Sequence, residues 1–363
     1  MPRRVLFGTS SWGLGHATRD LVLIKALLGA GCEVTVVATG PALAVLRREL
    51  RDKVTYLDWP DMPSTIATST ARFLIKTTAS VPRILNVWRE EKKRTSRLLA
   101  DQSFDLVISD HRYGMVTDTV DCYFISHSPR YIAPWRSWFM ETVMEWFVAT
   151  WLKPAKKLLI PDDQSPGLAG EMDHDLRFLT PERYAYLGIL ASLGKRNVEQ
   201  DIDVFISISG PEPQRTRLQK IVMPQLQALQ GRIVVALGLP DGEAPPSPAG
   251  VEVHPYLNRQ QQAKMMNRAG LVVCRSGYTT LMELAEIGKT ALLVPTPGQT
   301  EQLYLADTLA KQGLYYSVRQ GELDLSRDVA RARGFPGYQP EHLTSASAER
   351  FVALVLDEAT EDS

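Results

Sequence analysis

The chain has 363 residues, 44% of them hydrophobic and 23% charged, which are globular values over a length that suits two α/β domains better than one core. Lys and Arg number 41, as do Asp and Glu, and this balance excludes the basic field that nucleic-acid binding requires. No run of about 18 apolar residues predicts a membrane span, the first strand begins too early for a signal peptide, and the three cysteines are widely spaced. We therefore expect a cytoplasmic protein.

The first half of the chain alternates short apolar runs with helical patterns. Its first strand, Arg4–Thr9, runs into the loop Ser-Ser-Trp-Gly-Leu-Gly-His, and a helix with an apolar face follows. Thr18 breaks the dinucleotide-binding pattern G-x-G-x-x-G, which argues against a plain Rossmann dehydrogenase. Further strands are predicted over residues 33–38, 54–57, 104–109, 122–126 and 157–160, and a long helix over most of 63–100.

Two histidines follow predicted strands. His111 comes after Asp110 at the end of the strand 104–109, and His127 follows the strand 122–126. Open parallel sheets bind ligands outside the carboxyl ends of their strands. We therefore expect at least one of these histidines to line a ligand site.

Residues 131–157 are rich in tryptophan and basic side chains. Helical spacing predicts a helix that holds four of the seven tryptophans: Trp135, Trp138, Trp146 and Trp151. Two interpretations stay open. The helix packs on the sheet, or it meets a membrane interface with the help of its flanking cations: Arg130, Arg136, Lys153, Lys156 and Lys157.

The domain boundary is predicted just after residue 187. Before it, Asp173-His174-Asp175 lies in a Pro- and Gly-containing loop with no third ligand at a fixed spacing, which favours a solvated loop over a metal site. After it, strands are predicted over residues 203–207, 232–237, 250–253, 271–274 and 291–294. Residues 319–340 look irregular, and a closing helix is predicted over 344–356.

The segment Cys274–Gln302 is the most informative part of the chain. A strand, the loop Arg275-Ser276-Gly277, a helix and a second strand form a βαβ unit. The loop places hydroxyls beside helix amides that lack partners, a geometry that receives a phosphate. Glu283 could accept hydrogen bonds from a sugar diol, and the Pro-rich loop after the second strand presents three polar side chains: Gln299, Glu301 and Gln302.

This segment closely resembles the donor-sugar motif of MurG-like glycosyltransferases of the GT-B fold. The resemblance implies two Rossmann-like domains that face each other across a cleft, residues 1–187 on the acceptor side and 188–340 on the nucleotide-sugar side. It also implies that a helix at about 341–360 packs back on the first domain. The first loop, Gly13-Leu14-Gly15-His16, resembles the Gly-x-Gly-His loop of these enzymes.

The resemblance also assigns roles to residues. It makes His16 the base, with Asp110 to orient it, and puts Gly13, Gly15, His111 and His127 on the acceptor side. It places a larger set around the UDP-sugar donor: Ser209, Gly210, Arg215, Tyr256, Arg275, Ser276, Gly277, Thr279, Thr280, Glu283, Gln299, Glu301 and Gln302. Helix amides and Arg275 would replace a metal, and no cofactor is expected beside the UDP-sugar substrate.

The expected reaction is transfer of a hexose or N-acetylhexosamine to an acceptor hydroxyl with inversion. The resemblance points to an acceptor that is lipid-linked, at the membrane's inner face, or is a cell-envelope glycan. The tripeptide after His127, Ser128-Pro129-Arg130, departs from the family's Glu-Gln-Asn, so the acceptor stays open. Two alternatives remain. One is a UDP-sugar 2-epimerase or hydrolase of the same fold, and the other is a nucleotide-sugar binding protein without catalysis.

Overall fold

The computed structural model describes residues 2–63, 70–240, 242–243 and 245–357. The chain divides into two compact units, each with its own parallel sheet. The first unit comprises Met1–Thr65, Leu74–Ser192 and Glu341–Ser363, and the second comprises Ile66–Phe73 and Leu193–Pro340.

The first unit is built on a seven-stranded sheet. Its spatial order is β3-β2-β1-β4-β5-β6-β7, and every neighbouring pair is parallel. The central strands are buried on both faces, which explains why they read as continuous apolar runs. The strands are β1 Arg4–Thr9, β2 Glu33–Ala38, β3 Thr55–Asp58, β4 Leu106–Asp110, β5 Asp121–Ile125, β6 Lys157–Ile160 and β7 Tyr184–Tyr186.

Five helices accompany this sheet: α1 Leu14–Gly29, α2 Gly40–Leu50, α3 Thr70–Asp101, α4 Trp138–Trp151 and α10 Thr344–Leu356. The last helix packs against α1. It is anchored by two side chains, because Tyr123 Oη of β5 donates to the carbonyl of Leu354 at 3.2 Å, and Arg3 Nη1, just before β1, donates to that of Leu356 at 2.5 Å. The end of the chain therefore belongs to the first unit.

The second unit is built on a six-stranded parallel sheet in the order β10-β9-β8-β11-β12-β13. Its strands are β8 Ile202–Ser207, β9 Ile233–Ala236, β10 Val251–His254, β11 Ala269–Cys274, β12 Ala291–Leu293 and β13 Tyr316–Ser317. Its helices are α5 Gln214–Val222, α6 Arg259–Arg268, α7 Tyr278–Glu286, α8 Thr300–Lys311 and α9 Leu325–Ala332.

The prediction that residues 319–340 are irregular was wrong, because α9 lies within them. The Asp324 side chain caps its first turn by accepting a 3.0 Å hydrogen bond from the amide of Arg327. Leu325 and Val329 are buried among the strands of the second unit. The helix has only eight residues, so its apolar face offered few positions from which a 3.6-residue period could be read.

Candidate functional site

Five polar side chains meet at the carboxyl edge of the first sheet, where β1, β4 and β5 are neighbours. Asp110 ends β4, His111 follows it, and His127 lies two residues after β5. His16 and Arg19 stand three residues apart near the start of α1, a spacing that puts them on one face of the helix. We call these five residues the histidine cluster.

The turn from β1 into α1 depends on a glycine. Gly13 has a φ of 132°, which a residue with a Cβ atom rarely adopts. Gly15 lies in the first turn of α1, where its carbonyl accepts a 3.0 Å hydrogen bond from Thr18 Oγ1. Both predicted glycines therefore lie at the helix start that carries His16.

Asp110 is fully buried and uses both carboxylate oxygens. Arg19 Nη2 lies 2.7 Å from each oxygen, and His16 Nδ1 lies 2.8 Å from Oδ2. Burial acts to raise the pKa of Asp110, but the Arg19 guanidinium and the His16 ring hold that pKa well below its usual range. Asp110 is therefore ionised at neutral pH.

These contacts decide where the ring protons of two histidines lie. His16 Nδ1 faces two groups, Asp110 Oδ2 at 2.8 Å, which only accepts, and Arg19 Nη2 at 3.0 Å, which only donates. The shorter contact favours a proton on Nδ1 that is donated to Asp110, and Nε2 then keeps its lone pair. A guanidinium only donates, so His127 Nδ1, which is 3.4 Å from Arg19 Nη1, accepts and the ring proton sits on Nε2. The His16 side chain is 13% exposed, which leaves Nε2 of a partly accessible ring as a base.

His111 is the least suited of the three histidines to act as a base. Its ring centroid lies 5.1 Å from that of His16 and 5.8 Å from that of His127. Burial and then the positive charge that His16 can carry lower the pKa of His111 well below its usual value, so the ring is neutral. Its φ of 55° is a strained conformation for a residue with a Cβ atom, and it holds the ring beside His16.

Sequence reasoning missed Arg19 and also its neighbour Asp20. Asp20 is fully buried, and neither of its carboxyl oxygens has a hydrogen-bond partner in the described part of the chain. Burial, followed by repulsion from Asp110, raises its pKa well above the usual value, so Asp20 is a neutral acid. The available signal was a charged pair placed three and four residues after His16 on a helix that is mostly apolar beyond it.

A second cluster surrounds the start of α7 in the second unit. No side chain caps this helix, so its first amides have no helical partner: those of Tyr278, Thr279 and Thr280. The Ser276 hydroxyl donates to the carbonyl of Gln302 at 2.7 Å, and Gln302 Oε1 accepts from the amide of Thr296 at 2.9 Å. These bonds hold the starts of α7 and α8 together. The Gln302 amide nitrogen lies 3.8 Å from where a Cβ on Gly277 would stand.

The turn after β8 reaches the same place. Ser209 and Gly210 are exposed, and Gly210 has a φ of 114°. A Cβ on Gly210 would stand 3.7 Å from Thr296 Oγ1, a buried hydroxyl with no hydrogen-bond partner among the described residues. Thr296 was noted in the sequence only as part of a Pro-rich loop, although its hydroxyl faces this turn.

The other predicted donor-side residues lie in different surroundings. Glu283 is partly exposed on the second turn of α7. Burial of the Cys274 thiol raises its pKa to about 12, and the charge of Glu283 contributes to that rise. Gln299 occupies the cap position of α8 and Glu301 its first turn. Tyr256 follows β10 with 46% of its surface exposed.

Among the described residues, protein acceptors engage every N–H group of the two predicted donor-side arginines, Arg275 and Arg215. The five N–H groups of Arg275 point at the carbonyls of Ser209, Val294, Pro295 and Gln214 and at the side-chain oxygen of Gln320. Burial lowers the pKa of Arg275 to about 10. Arg215 is committed in the same way, to Glu212, Thr216, Gln219 and the carbonyl of Leu237. The geometry thus gives both arginines a bracing role in the surrounding loops, and their contact with a phosphate stays a prediction.

The loop that was predicted to be solvated is in fact ordered around a buried carboxyl. Asp173 is fully buried, and Asp162 supplies a third group beside it and His174. The imidazole has no nitrogen left for a metal, because Nδ1 bonds to Asp173 and the Gly170 carbonyl, and Nε2 to the Gln164 carbonyl at 2.8 Å. These contacts make the group a hydrogen-bonded brace of its loop.

One face of the tryptophan-rich segment is open to solvent. We call it the apolar α4 face, and its residues are 39% to 77% exposed: Trp135, Trp138, Phe139, Met140, Val143, Met144 and Trp146. The opposite face packs inward through buried residues such as Val148 and Ala149. At the end of the helix, Trp151 Nε1 donates to the carbonyl of Tyr113 at 2.8 Å and its ring lies 5.1 Å from that of Trp88. None of the described helices is long and apolar enough to cross a membrane.

Comparison with known proteins places these features in a family context. Residues 244–355 match the glycosyltransferase family 28 C-terminal domain. A UDP-N-acetylglucosamine–N-acetylmuramyl-(pentapeptide) pyrophosphoryl-undecaprenol N-acetylglucosamine transferase of Methylorubrum extorquens (strain PA1) is 34% identical over 154 residues, which cover 41% of this chain and 38% of that relative. The transferase of the same name from Lacticaseibacillus casei (strain BL23) is 35% identical over 82 residues, 22% of each chain. The matched part therefore spans less than half the length of these relatives.

Solved structures match along the whole chain. MurG of Acinetobacter baumannii aligns with a TM-score of 0.57 and 16% identity over 98% of this chain and 100% of that one. The glycotransferase of kitacinnamycin aligns with a TM-score of 0.67 and 14% identity over 99% and 96%. The predicted GT-B architecture and the resemblance to MurG are thus confirmed. The chain has the GT-B fold, and its residues 244–355 match the glycosyltransferase family 28 C-terminal domain.

Proposed function

We propose that this chain is a glycosyltransferase that moves a sugar from a UDP-sugar to an acceptor hydroxyl. The observation that carries the proposal is the buried Asp110 carboxylate, which orients His16 so that Nε2 can take a proton. The family 28 domain supports the choice of a nucleotide-sugar donor, because the relatives it matches are named for a UDP-linked donor.

In the proposed reaction the acceptor oxygen attacks the anomeric carbon while the bond from that carbon to the UDP oxygen breaks. The acceptor proton passes to His16 Nε2, and the configuration at the anomeric carbon inverts. A positioned base of this kind contributes about 10²- to 10⁴-fold to the rate. Asp110 stabilises the imidazolium that forms and holds the ring in place.

On the donor side, the first turn of α7 suits a diphosphate, because it carries the partial positive charge of the helix start. We assign Ser276, Gly277 and Thr280 to the diphosphate, Glu283 to the ribose diol and Gln302 to the sugar. Two bonds support this grouping: Ser276 holds the Gln302 backbone beside the start of α7, and the Thr296 amide holds the Gln302 side chain. We propose no metal and no cofactor beside the donor substrate.

We further propose a lipid-linked acceptor that is met at a membrane surface. The named acceptor of the curated relatives is linked to undecaprenol, and the apolar α4 face offers four residues that are more than half exposed: Trp135, Trp138, Phe139 and Trp146. Indole rings favour the boundary between headgroups and acyl chains.

The flanking cations contribute less to such a membrane contact than their number suggests. Arg136 pairs with Glu141 and Glu171, and Arg130 lies 3.5 Å from Glu145. Their charge is therefore partly neutralised within the protein, and we expect the apolar face to contribute most of the affinity for a bilayer.

The donor assignment is tested with UDP and the variant Glu283→Ala. Loss of a charged hydrogen bond should weaken UDP binding by about 1.5 to 3 kcal/mol, measured by titration calorimetry. Glu286→Ala, on the same helix, is the matched control and should bind UDP like the parent. Equal UDP affinity in all three proteins would remove Glu283 from the site.

The reaction class is tested with UDP-N-acetylglucosamine, with and without a polyprenyl-pyrophosphoryl sugar. Sugar transfer to the lipid supports the proposal. Turnover of the donor in the absence of any acceptor would instead identify an epimerase or a hydrolase. UDP binding without turnover under both conditions, unaltered in His16→Ala and Asp110→Ala, would identify a binding protein.

A further inference from the structure

Arg19 stands at the centre of the histidine cluster and touches three of its members. Its Nη2 lies 2.7 Å from both oxygens of Asp110 and 3.0 Å from His16 Nδ1, and its Nη1 lies 3.4 Å from His127 Nδ1. Its side chain is 2% exposed and that of Asp110 is not exposed at all. The guanidinium and the carboxylate therefore face each other with almost no water to screen them.

A buried carboxylate requires a positive partner, because an isolated charge in the interior costs several kcal/mol. Arg19 is a permanent partner, since a guanidinium is not deprotonated in proteins. If Arg19 were absent, the nearest group able to supply the charge would be His16, whose Nδ1 lies 2.8 Å from Asp110 Oδ2. His16 would then be held as an imidazolium and would have no lone pair for an acceptor proton.

We propose that Arg19 is a positioning residue that keeps His16 neutral by permanently neutralising Asp110. The inference rests on the proposed function of His16 as the base. It adds that the orienting carboxylate must itself be neutralised: Asp110 holds the ring, and Arg19 prevents that carboxylate from charging the ring before the acceptor arrives.

The other groups around His16 do not change this balance. His111 is neutral, because burial lowers its pKa well below the usual value. His127 accepts from Arg19 at Nδ1 and is 7% exposed. Asp20 is neutral, because burial and repulsion from Asp110 raise its pKa. The two charges that face His16 are therefore the negative charge of Asp110 and the positive charge of Arg19, and without Arg19 the negative charge would be unbalanced.

The inference is tested by the ring ¹⁵N chemical shifts of the histidines, which distinguish the two neutral tautomers from the imidazolium. The chain has six histidines, so single substitutions suffice to assign each ring. At pH 7 the parent should show His16 protonated on Nδ1 alone and His127 on Nε2 alone. In Arg19→Met, whose side chain has a similar length and no charge, His16 should be protonated on both nitrogens.

Two further variants separate this role from a merely structural one. Arg19→Lys restores a positive charge and should return His16 to the neutral form. Arg183→Met makes the same chemical change in the same unit, at an arginine whose hydrogen bonds within the described part of the chain go to the carbonyls of Leu152, Lys153 and Ala155, and it should leave the His16 shifts unchanged. In a transfer assay, kcat of Arg19→Met should fall about 10²-fold with UDP affinity preserved, and Arg19→Lys should recover most of it.

A neutral His16 ring in folded Arg19→Met would overturn the inference. Should that variant fail to fold, the parent protein still decides, because an imidazolium at His16 at pH 7 is incompatible with the proposal. The ring shifts need no substrate. Shifts as expected in a protein that transfers no sugar would refute the proposed function alone, whereas transfer by a protein with a charged resting His16 would refute this inference alone.

Discussion

His16 and Asp110 differ in what their loss should do, although the two side chains are hydrogen-bonded. His16→Gln keeps a polar side chain but removes the proton acceptor, so turnover should fall by about 10²- to 10⁴-fold. UDP affinity should not change, because the proposed donor contacts come from other elements. Paired measurements of kcat and of UDP affinity check this. Near-normal turnover would transfer the role of base to His127 or His111.

Asp20 leads to a prediction about stability and pH. Its pKa is raised in the folded protein, so the unfolded chain loses this proton first as pH rises, and stability falls from about pH 4 upward by at most about 1.4 kcal/mol per pH unit. Asp20→Asn removes the titration and should be more stable than the parent at pH 7, by a margin that shrinks toward pH 4. Urea unfolding at a series of pH values measures the difference.

The opposite sign is expected for Asp110, whose pKa is depressed in the folded protein. Its contribution is present above the unfolded pKa and is lost as pH falls through the folded value. Asp110→Asn leaves the Arg19 charge buried without its carboxylate and should destabilise the protein by about 3 to 5 kcal/mol. If Asp20→Asn and Asp110→Asn shift stability in the same direction at pH 7, the assignment of the proton to Asp20 is incorrect.

At the scale of helices and strands, the two faces of α4 predict different outcomes. Trp138 and Trp146 are 70% and 54% exposed, so replacing both with Ser should leave the fold intact and reduce binding to lipid vesicles. Trp151→Ser is the matched control, because this ring packs on Trp88 and donates to the carbonyl of Tyr113. It should lower the unfolding free energy by about 3 to 5 kcal/mol. Vesicle co-sedimentation and thermal unfolding provide the two readouts.

The expected salt dependence of that vesicle binding follows from the ion pairs of the arginines that flank the apolar α4 face. Because Glu141, Glu145 and Glu171 lie beside its arginines, added salt should weaken vesicle binding only modestly. A steep loss with salt would mean that these pairs open at the bilayer. Unimpaired vesicle binding by the double Ser variant would show that the apolar α4 face is not the contact surface.

The helices and strands could largely be predicted from the sequence, whereas the hydrogen bonds that occupy individual side chains could not. The strand over residues 157–160 and the helix over 344–356 follow directly from apolar periodicity and have the predicted bounds. Whether an arginine is available depends on backbone far away in the chain: Arg275 is occupied by carbonyls up to 66 residues distant. Likewise Asp110 lies 91 positions from Arg19, so no local pattern shows that they pair.

For the whole molecule, net charge and the placement of acids bear on whether a metal takes part. Lys and Arg balance Asp and Glu at 41 each. A cluster of carboxylates without basic partners would therefore require a local excess of acidic over basic side chains. Asp201, which precedes β8, instead pairs with Arg232 and Arg268. The hydrogen bond from Arg268 lowers the pKa of Asp201 to about 2. In the ordered loop after β6, both nitrogens of His174 are hydrogen-bonded.

We therefore expect UDP binding and sugar transfer to persist in excess chelator, because the amides at the start of α7 can stabilise the leaving diphosphate in place of a divalent ion. The measurement compares UDP affinity and turnover in chelator with those in added Mg²⁺ or Mn²⁺. A change of less than about twofold would fit a site built on helix amides, since losing a metal Lewis acid would cost several kcal/mol. Activity abolished by chelator and restored by either ion would show instead that a carboxylate such as Asp201 leaves its arginine partners to bind metal.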